Sequence, residues 1–302
     1  MKKAFLIVLL SVGTCLSALA ESNQANKTSV HPIQFDIAPV VLTGDSLGDV
    51  TAGLDYDFFY RRSNIRNIRL GEAESLIQIK LNGTVAIDED LNKKGLISEG
   101  MAGFSLLGGR AQEHVFTPGM DVDSNRGAAK DIGNWGYIFA GIDARHEATQ
   151  TFDDQNLAAG MELGYINPRD ENIYSFIPSV VMAYEFVDRV ASDIDTDNYS
   201  RFRIEASLKS SFGKQFFAKS ALEPVGLRLD GRYYKSTGMT DRLESTGQDE
   251  ITYFAAALTY SPNILVYKVR RPTFFVRLSD GRLPPNTDDE TVVSVGVIVH
   301  FL

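Results

Sequence analysis

Charged side chains recur at every second position in several stretches of the sequence. In the stretch that begins at Arg201, the charged residues Arg201, Arg203 and Glu205 alternate with Phe202 and Ile204. Successive side chains of a β-strand point to opposite faces, so this alternation predicts a strand with one charged face and one apolar face. Such a strand fits where one face meets water or other charges and the other face meets an apolar medium.

The same alternation assigns thirteen charged residues along the chain to polar faces, as candidates to line an interior. They are Asp55, Asp57, Lys80, Glu162, Glu185, Arg201, Arg203, Glu205, Lys209, Arg228, Asp230, Arg232 and Arg277. Four further charged residues share these faces: Asp36, Asp143, Arg145 and Glu147. The acids dominate the earlier strands and the bases dominate the later ones. In one closed sheet, an acidic wall would then face a basic wall. In one interpretation, the two walls set up an electric field across a water-filled pore. In the other, the opposite charges pair directly and fill the interior.

The histidines offer little for catalysis. His31 lies near the start, His300 lies in the last stretch, and His146 lies in the sequence Asp-Ala-Arg-His-Glu on the same row as Ala144. A hydrolase needs a nucleophile or base with a partner within reach. The histidine–serine pair of barrel phospholipases is absent, because position 148 is Ala148. We therefore expect no catalytic residue, and a lipid hydrolase that uses His146 at the barrel rim is kept as an alternative.

Acidic clusters are the candidates for metal binding. Asp193, Asp195 and Asp197 form one cluster, and a second spans 288–290. Both lack the glycine and the terminal glutamate of a calcium-binding loop. Zinc-type spacings and glycine-rich phosphate loops are missing from the sequence as well. We expect no metal site and no cofactor.

The first twenty residues have the features of a secretory signal peptide. Lys2 and Lys3 precede an apolar run, and Ala18-Leu19-Ala20 is a cleavage site of the small-x-small type. Cleavage after Ala20 leaves 282 of the 302 residues, removes the one cysteine (Cys15) and changes the net charge from −9 to −11. The negative net charge excludes a protein whose surface is basic enough to bind nucleic acid. Lipid attachment at Cys15 is an alternative, although Thr14 fits that processing poorly.

The end of the chain has the most regular alternation. A single apolar row contains Val293, Val295, Val297, Val299 and Phe301. A strand this apolar would be a sticky edge in water. Its composition is explained if it closes a barrel whose outer face meets lipid. About twelve such strands of roughly ten residues each can be counted, which is the length needed by tilted strands that cross a bilayer.

The signal peptide, the series of alternating strands and the apolar last strand together resemble the outer-membrane β-barrel proteins of Gram-negative bacteria. The resemblance implies an antiparallel up-and-down barrel over residues 32–302, a loose periplasmic tail over 21–31, and both termini on the periplasmic side. It also implies that the last row serves as the assembly signal, although Phe301 is penultimate where the class usually ends on the aromatic residue. The implied partners are outer-membrane lipid and lipopolysaccharide, the barrel-assembly machinery and periplasmic chaperones. A soluble β-sandwich or lipocalin-like barrel is the competing fold.

The first functional expectation is a narrow porin-like channel in the outer membrane, through which small polar solutes diffuse. The alternatives are a structural, adhesive or solitary autotransporter-like barrel with a plugged lumen, and the rim hydrolase named above. The stretch 108–133 shows no strand pattern and contains Pro118 and Gly119. It is either a loop folded into the lumen or an irregular hairpin that changes the strand count by two.

Overall fold

A computed structural model shows an all-β architecture. It describes residues 27–30, 34–44, 50–68, 71–88, 95–107, 137–167, 176–191, 197–262, 270–286, 289 and 291–301. The predicted signal peptide (1–20), the stretch 108–133, and the acidic residues Asp193 and Asp195 lie outside these residues.

The described chain contains thirteen strands and two short helices. The strands are β1 (Lys27–Val30), β2 (Gln34–Thr43), β3 (Val50–Ile68), β4 (Gly71–Ala86), β5 (Leu96–Leu107), β6 (Tyr137–Ala148), β7 (Gln155–Ile166), β8 (Ser179–Ala191), β9 (Asn198–Ser210), β10 (Val225–Thr237), β11 (Glu250–Tyr260), β12 (Arg270–Gly281) and β13 (Val292–Phe301). The helices are α1 (Phe212–Phe216) and α2 (Asp241–Glu244). Among these ranges, no helix is long and apolar enough to cross a membrane.

The twelve strands from β2 to β13 close into a barrel. Each pairs antiparallel with the next, and β13 pairs antiparallel with β2 through the register Val295 opposite Val41 and Phe301 opposite Phe35. The predicted twelve-stranded up-and-down barrel is therefore confirmed, as is the predicted pairing of the last strand with the first. Closure leaves neither of these two strands as a free edge along the paired region.

The short strand β1 extends the line of β2. It pairs with β3, with Val30 opposite Arg62, while Gln34 at the start of β2 lies opposite Phe59. The sequence predicts a loose tail over 21–31, whereas residues 27–30 of that segment are paired in this strand.

The alternation of the sequence sorts side chains between the outside and the inside. On β7, Met161 is 65% exposed and its neighbour Glu162 is 5% exposed. On β13, Val295 points outward and is half exposed, while Ser294 points inward and is buried. The outer face is therefore an apolar band, and the inner face carries the charges. This is the arrangement that a barrel needs in order to face lipid.

Two ends of the barrel are distinguished below. The terminal end is the one where β2 begins and β13 ends, and the opposite end is the one where β2 ends and β13 begins. The described residues that follow β7, β9 and β11 or precede β8 and β10, namely 167, 176–178, 211–224 and 261–262, lie at the terminal end, because β7, β9 and β11 run towards it.

Met161→Arg tests the lipid-facing assignment. An arginine on the outer face near the middle of a spanning strand costs about 2–4 kcal/mol of folding free energy in a bilayer. Equilibrium urea unfolding from phospholipid vesicles should show a loss of that size. The control Met161→Leu conserves volume and should lose less than about 1.5 kcal/mol. Equal stability of the arginine and leucine variants would show that this face does not meet lipid.

Candidate functional site in the barrel lumen

The register of β9 with its neighbours brings opposite charges together on the inner face. Arg201 lies directly opposite Glu185 of β8, and Glu205 lies directly opposite Arg232 of β10. Opposed residues of an antiparallel pair have Cβ atoms within about 5.5 Å, so their side chains meet. The site begins from these two cross-strand pairs.

Arg201 is held by two carboxylates and is 1% exposed. Its Nη1 and Nη2 atoms each donate to an oxygen of Glu147 at 2.8 Å, and its Nε donates to Glu185 at 2.8 Å. The pair with Glu147 is bidentate, which is the arrangement that the planar guanidinium favours. This pair joins β9 to β6 across two intervening strands, so the contact is made through the lumen.

Arg203 contacts four carboxylates and is also 1% exposed. Its Nε donates to Glu185 at 2.7 Å, and its Nη1 lies 3.0 Å from Glu205. Its Nη2 donates to Asp143 at 3.0 Å and to Glu162 at 3.5 Å. The single side chain therefore connects β6, β7, β8 and β9.

Arg145 completes the group from the β6 side. Its Nη2 donates to Glu99 at 2.8 Å, and its Nη1 donates to Glu205 at 3.1 Å. We call these residues the ion-pair cluster: Glu99, Asp143, Arg145, Glu147, Glu162, Glu185, Arg201, Arg203 and Glu205. Buried charges persist only when they are paired and hydrogen-bonded, and the cluster meets that condition by sharing each guanidinium among several carboxylates.

The ion-pair cluster contains more carboxylates than guanidiniums, and neighbouring cations offset part of its excess negative charge. Six carboxylates face three arginines within it. Lys80 lies opposite Glu99 in the register of β4 and β5, and Arg232 lies opposite Glu205. With these two cations counted, five positive charges face six negative ones.

Glu99 is the one member of the cluster that the alternation of the sequence did not assign. It is the only charged residue within β5, whose many small residues obscure the two rows. The sequence did contain one indication: Glu99 lies two residues from Ile97 and from Met101, so the three side chains share one face of the strand, and Ile97 and Met101 are buried.

The lumen also has a side that water reaches. Arg228 and Lys209 face inward as directly opposed residues of β10 and β9, and both are exposed. The side chain of Asp230 is 41% exposed and lies 3.5 Å from Arg232. Further round the wall, Arg277 of β12 pairs with Asp55 of β3 at 2.9 Å. Exposed charges on an inner face require water beside them.

All thirteen predicted residues lie on the inner face, but they differ in burial. Glu162, Glu185, Arg201 and Arg203 are buried in the ion-pair cluster, where Glu205 is partly exposed, and Asp55 is buried beside Arg277. The water-accessible wall consists of the exposed Lys209 and Arg228 and the partly exposed Asp57, Lys80, Asp230, Arg232 and Arg277. The acidic and basic walls do not simply face each other across open space. They meet in the ion-pair cluster along β5 to β9.

Two loops fold over the lumen at the opposite end, and we call them the two-loop cap (residues 238–249 and 282–286). Met239 and Leu243 of the first loop pack with inward residues of β7, β8 and β9, and Leu243 is fully buried. Leu283 of the second loop packs with Ile97 of β5 and Ile251 of β11. Because β5 and β11 lie on opposite sides of the barrel, this contact spans the lumen.

Polar contacts join the two loops of the cap. Gln248 is buried and donates to the carbonyl oxygen of Asn286 at 2.9 Å, and Arg282 donates to that of Gly247 at 2.8 Å. At the edge of the cap, Lys235 donates to Asp249 at 2.9 Å, and this hydrogen bond holds the pKa of Asp249 below its usual value. The cap is thus a packed and hydrogen-bonded unit.

His146 lies on the outward face of β6, as predicted from its spacing of two residues from Ala144. Its Nε2 lies 3.2 Å from the amide oxygen of Gln155, and a glutamine amide supplies neither a nucleophile nor a base. In the described ranges, no group of three histidine, cysteine, aspartate or glutamate side chains is arranged to hold a metal ion.

A closed antiparallel barrel with an apolar outer face and a charged interior is the architecture of the outer-membrane β-barrel proteins. The similar solved structures include the NanC porin (9% identity, TM-score 0.39, 89% of this chain and 100% of that chain) and the KdgM porin (10% identity, TM-score 0.32, 88% and 99%). The translocator domain of the autotransporter NalP from Neisseria meningitidis is similar at 10% identity and a TM-score of 0.29, over 99% and 97% of the two chains. No protein-family model matches the sequence, and no curated protein is detectably similar to it.

Arg203→Met tests the ion-pair cluster. Removing the guanidinium leaves four carboxylates without their shared partner, and breaking a buried ion pair in this way costs about 3–5 kcal/mol. Urea unfolding should show a loss of that size. The control Lys235→Met removes an exposed ion pair, whose contribution is screened by solvent, and should leave the unfolding midpoint unchanged. A wild-type midpoint for Arg203→Met would mean that the cluster does not hold the strands together.

Proposed function

We propose that the protein is a narrow outer-membrane channel through which small polar solutes diffuse. The observation that carries the proposal is the water-accessible charged wall, and above all the exposed pair of Lys209 and Arg228 on the inner face. Burying a charged side chain is costly, so charged side chains that stay exposed on an inner face lie beside water. The exposure of these two residues supports an aqueous path at the terminal end of the lumen.

The path is narrow because the ion-pair cluster occupies one side of the barrel. The cluster extends from β5 to β9, and buried inner residues of β2, β11 and β13, such as Val40, Tyr253 and Ser294, fill much of the remaining side. Water is left mainly beside the exposed inner residues of β9 and β10 near the terminal end. A barrel of twelve strands has a lumen only modestly wider than its side chains. The proposed solutes are therefore small, and the mixed charges along the remaining wall suit polar ones.

In this proposal the two-loop cap blocks the path at the opposite end, which the packing of Leu243 and Leu283 against the inner faces of the strands supports. Solute passage then requires the cap to move, and its loops are the segments free to do so, since the strands beneath them are fixed by ladder hydrogen bonds. In this proposal the protein conducts only while the apolar contacts of Leu243 and Leu283 are released. No catalytic residue, cofactor or metal enters the proposal.

The proposed setting is the outer membrane, in contact with phospholipid and lipopolysaccharide. The apolar band on the outside of the barrel supports it. The outward row of β13 would be read by the barrel-assembly machinery after periplasmic chaperones deliver the chain. The termini would then lie on the periplasmic side, and the two-loop cap on the cell surface.

A structural or adhesive barrel with a permanently plugged lumen is the second candidate. It is favoured by the burial of the ion-pair cluster and by the packing of the cap. The two candidates differ in one measurable property, which is the conductance of the folded protein in a planar bilayer.

The purified, folded protein should give small stepwise conductances in a planar bilayer. Arg228→Gln combined with Arg277→Gln removes positive charge from the water-accessible wall, so the reversal potential in a potassium chloride gradient should shift towards cation selectivity. Lys235→Gln, near the opposite rim, serves as the control and should not shift it. Absence of any conductance, including in the cap variants below, would remove the channel and leave the plugged barrel. An unshifted reversal potential would mean that Arg228 and Arg277 do not line the path.

Leu243→Ser combined with Leu283→Ser should raise the probability that the channel is open. Both side chains are buried in the cap, and a hydroxyl placed there is left in apolar surroundings. Single-channel recording measures the open probability directly. The control Ile87→Ser replaces an exposed isoleucine at the same end of the barrel, outside the cap, and should behave like the wild type. A folded double variant with wild-type gating would contradict the role of the cap.

A further inference from the structure

Five large apolar side chains lie exposed on two loops at the terminal end of the barrel. Phe176 and Ile177 belong to the connection between β7 and β8, and Phe216, Phe217 and Leu222 belong to the connection between β9 and β10. We call them the loop patch. All five are at least 39% exposed, with Phe216 the highest at 61%. An exposed cluster of this kind marks a surface that meets a membrane or another molecule.

The loop patch is one surface, because ring contacts connect its parts. The rings of Phe176 and Phe216 lie 6.3 Å apart between centroids and bridge the two connections. Within the second connection, the rings of Phe212 and Phe217 lie 6.4 Å apart in an edge-to-face arrangement. Pairs with these separations are favourable for aromatic side chains. The aromatic residues are therefore packed against one another while their outer surfaces remain uncovered.

Charged side chains are interleaved with the aromatic ones. Lys214 and Lys219 are both exposed and lie on either side of Phe216 and Phe217. Glu223 accepts a hydrogen bond from the backbone N–H of Lys219 at 2.8 Å, which fixes the turn that follows α1. Long lysine side chains beside apolar ones can place their stems along an apolar surface and their ammonium groups in water.

The position of the loop patch relates it to the outer band of the barrel. Its two connections join β7 to β8 and β9 to β10, four neighbouring strands whose outward rows are apolar and exposed, as Leu163 and Met182 illustrate. The patch begins where these rows end, beyond the last residues of the strands. It is thus a separate element from the aromatic residues carried by the strands themselves.

We infer that the loop patch is a membrane-interface anchor, which inserts into the headgroup region of the phospholipid leaflet at the terminal end. Aromatic side chains are favoured at that depth, because their rings are apolar and polarisable while water remains close by. The flanking lysines would reach the phosphate groups. The anchor would hold the β7–β10 side of the barrel at a fixed depth, opposite to the end that carries the two-loop cap. The inference goes beyond the channel function, but it requires the barrel to lie in a bilayer.

Tryptophan fluorescence tests the anchor at the residues concerned. The chain has one tryptophan, Trp135, so Trp135→Phe provides a silent background. Phe217→Trp then reports on the loop patch, and Phe254→Trp, a matched outward position on β11, reports on the strands. Each folded variant is placed in phosphatidylcholine vesicles that carry bromine either close to the headgroup or deep in the acyl chains.

The expected result is a blue-shifted emission of Phe217→Trp that is quenched most by the shallow bromines. Phe254→Trp should be quenched most by the deep ones. Water-like, unquenched emission from Phe217→Trp, with Phe254→Trp quenched, overturns the anchor and leaves the membrane barrel intact. Blue-shifted but unquenched emission also overturns it, because the patch is then covered by protein. If neither variant is quenched, the barrel does not lie in the bilayer, and the proposed channel fails together with the anchor.

Discussion

The pairing of β13 with β2 is the constraint on which the other features depend. Backbone N–H and C=O groups cannot remain unpaired in lipid, and a sheet satisfies all of them only if it has no edge. Once Val295 lies opposite Val41, the register of the seam is fixed, and a slip of one residue would turn the outward valines of the last strand, Val293, Val295, Val297 and Val299, inward. Closure therefore also decides which residues share the lumen.

Within the closed barrel, the ion-pair cluster decides how the interior is used. Desolvating an arginine is costly, and the cost is met only when carboxylates surround it. Arg203 is surrounded in this way by carboxylates of β6, β7, β8 and β9. This sharing joins strands that have no ladder hydrogen bonds to one another, and it concentrates the buried charge on one side. The exposed Arg228 lies on β10, beyond the edge of the cluster, so that one barrel contains both a packed interior and a charged wall that water reaches.

The two ends of the barrel differ for a related reason. At the opposite end, Leu243 and Leu283 are turned inward, where the inner faces of the strands offer apolar residues such as Ile97 and Tyr199. At the terminal end, the inner wall carries Lys209 and Arg228, and the large apolar side chains of the connections lie exposed. The first arrangement packs the loops over the lumen, and the second presents apolar surface to the surroundings.

The sequence by itself determined the class of fold and the face on which each charged residue lies. Alternation of apolar and charged residues follows from strand geometry alone, so it can be read without tertiary information. It placed Arg201, Arg203 and Glu205 on one face, and in the structure that face is the interior. It could not reveal Glu99, a single charge among small residues, nor the choice between an open and a filled lumen. That choice depends on which side chains meet across the barrel, as Arg145 meets Glu205. The cap was equally hidden, since Leu283 lies in a short loop with no periodicity, and only the closed barrel supplies the cavity that buries it.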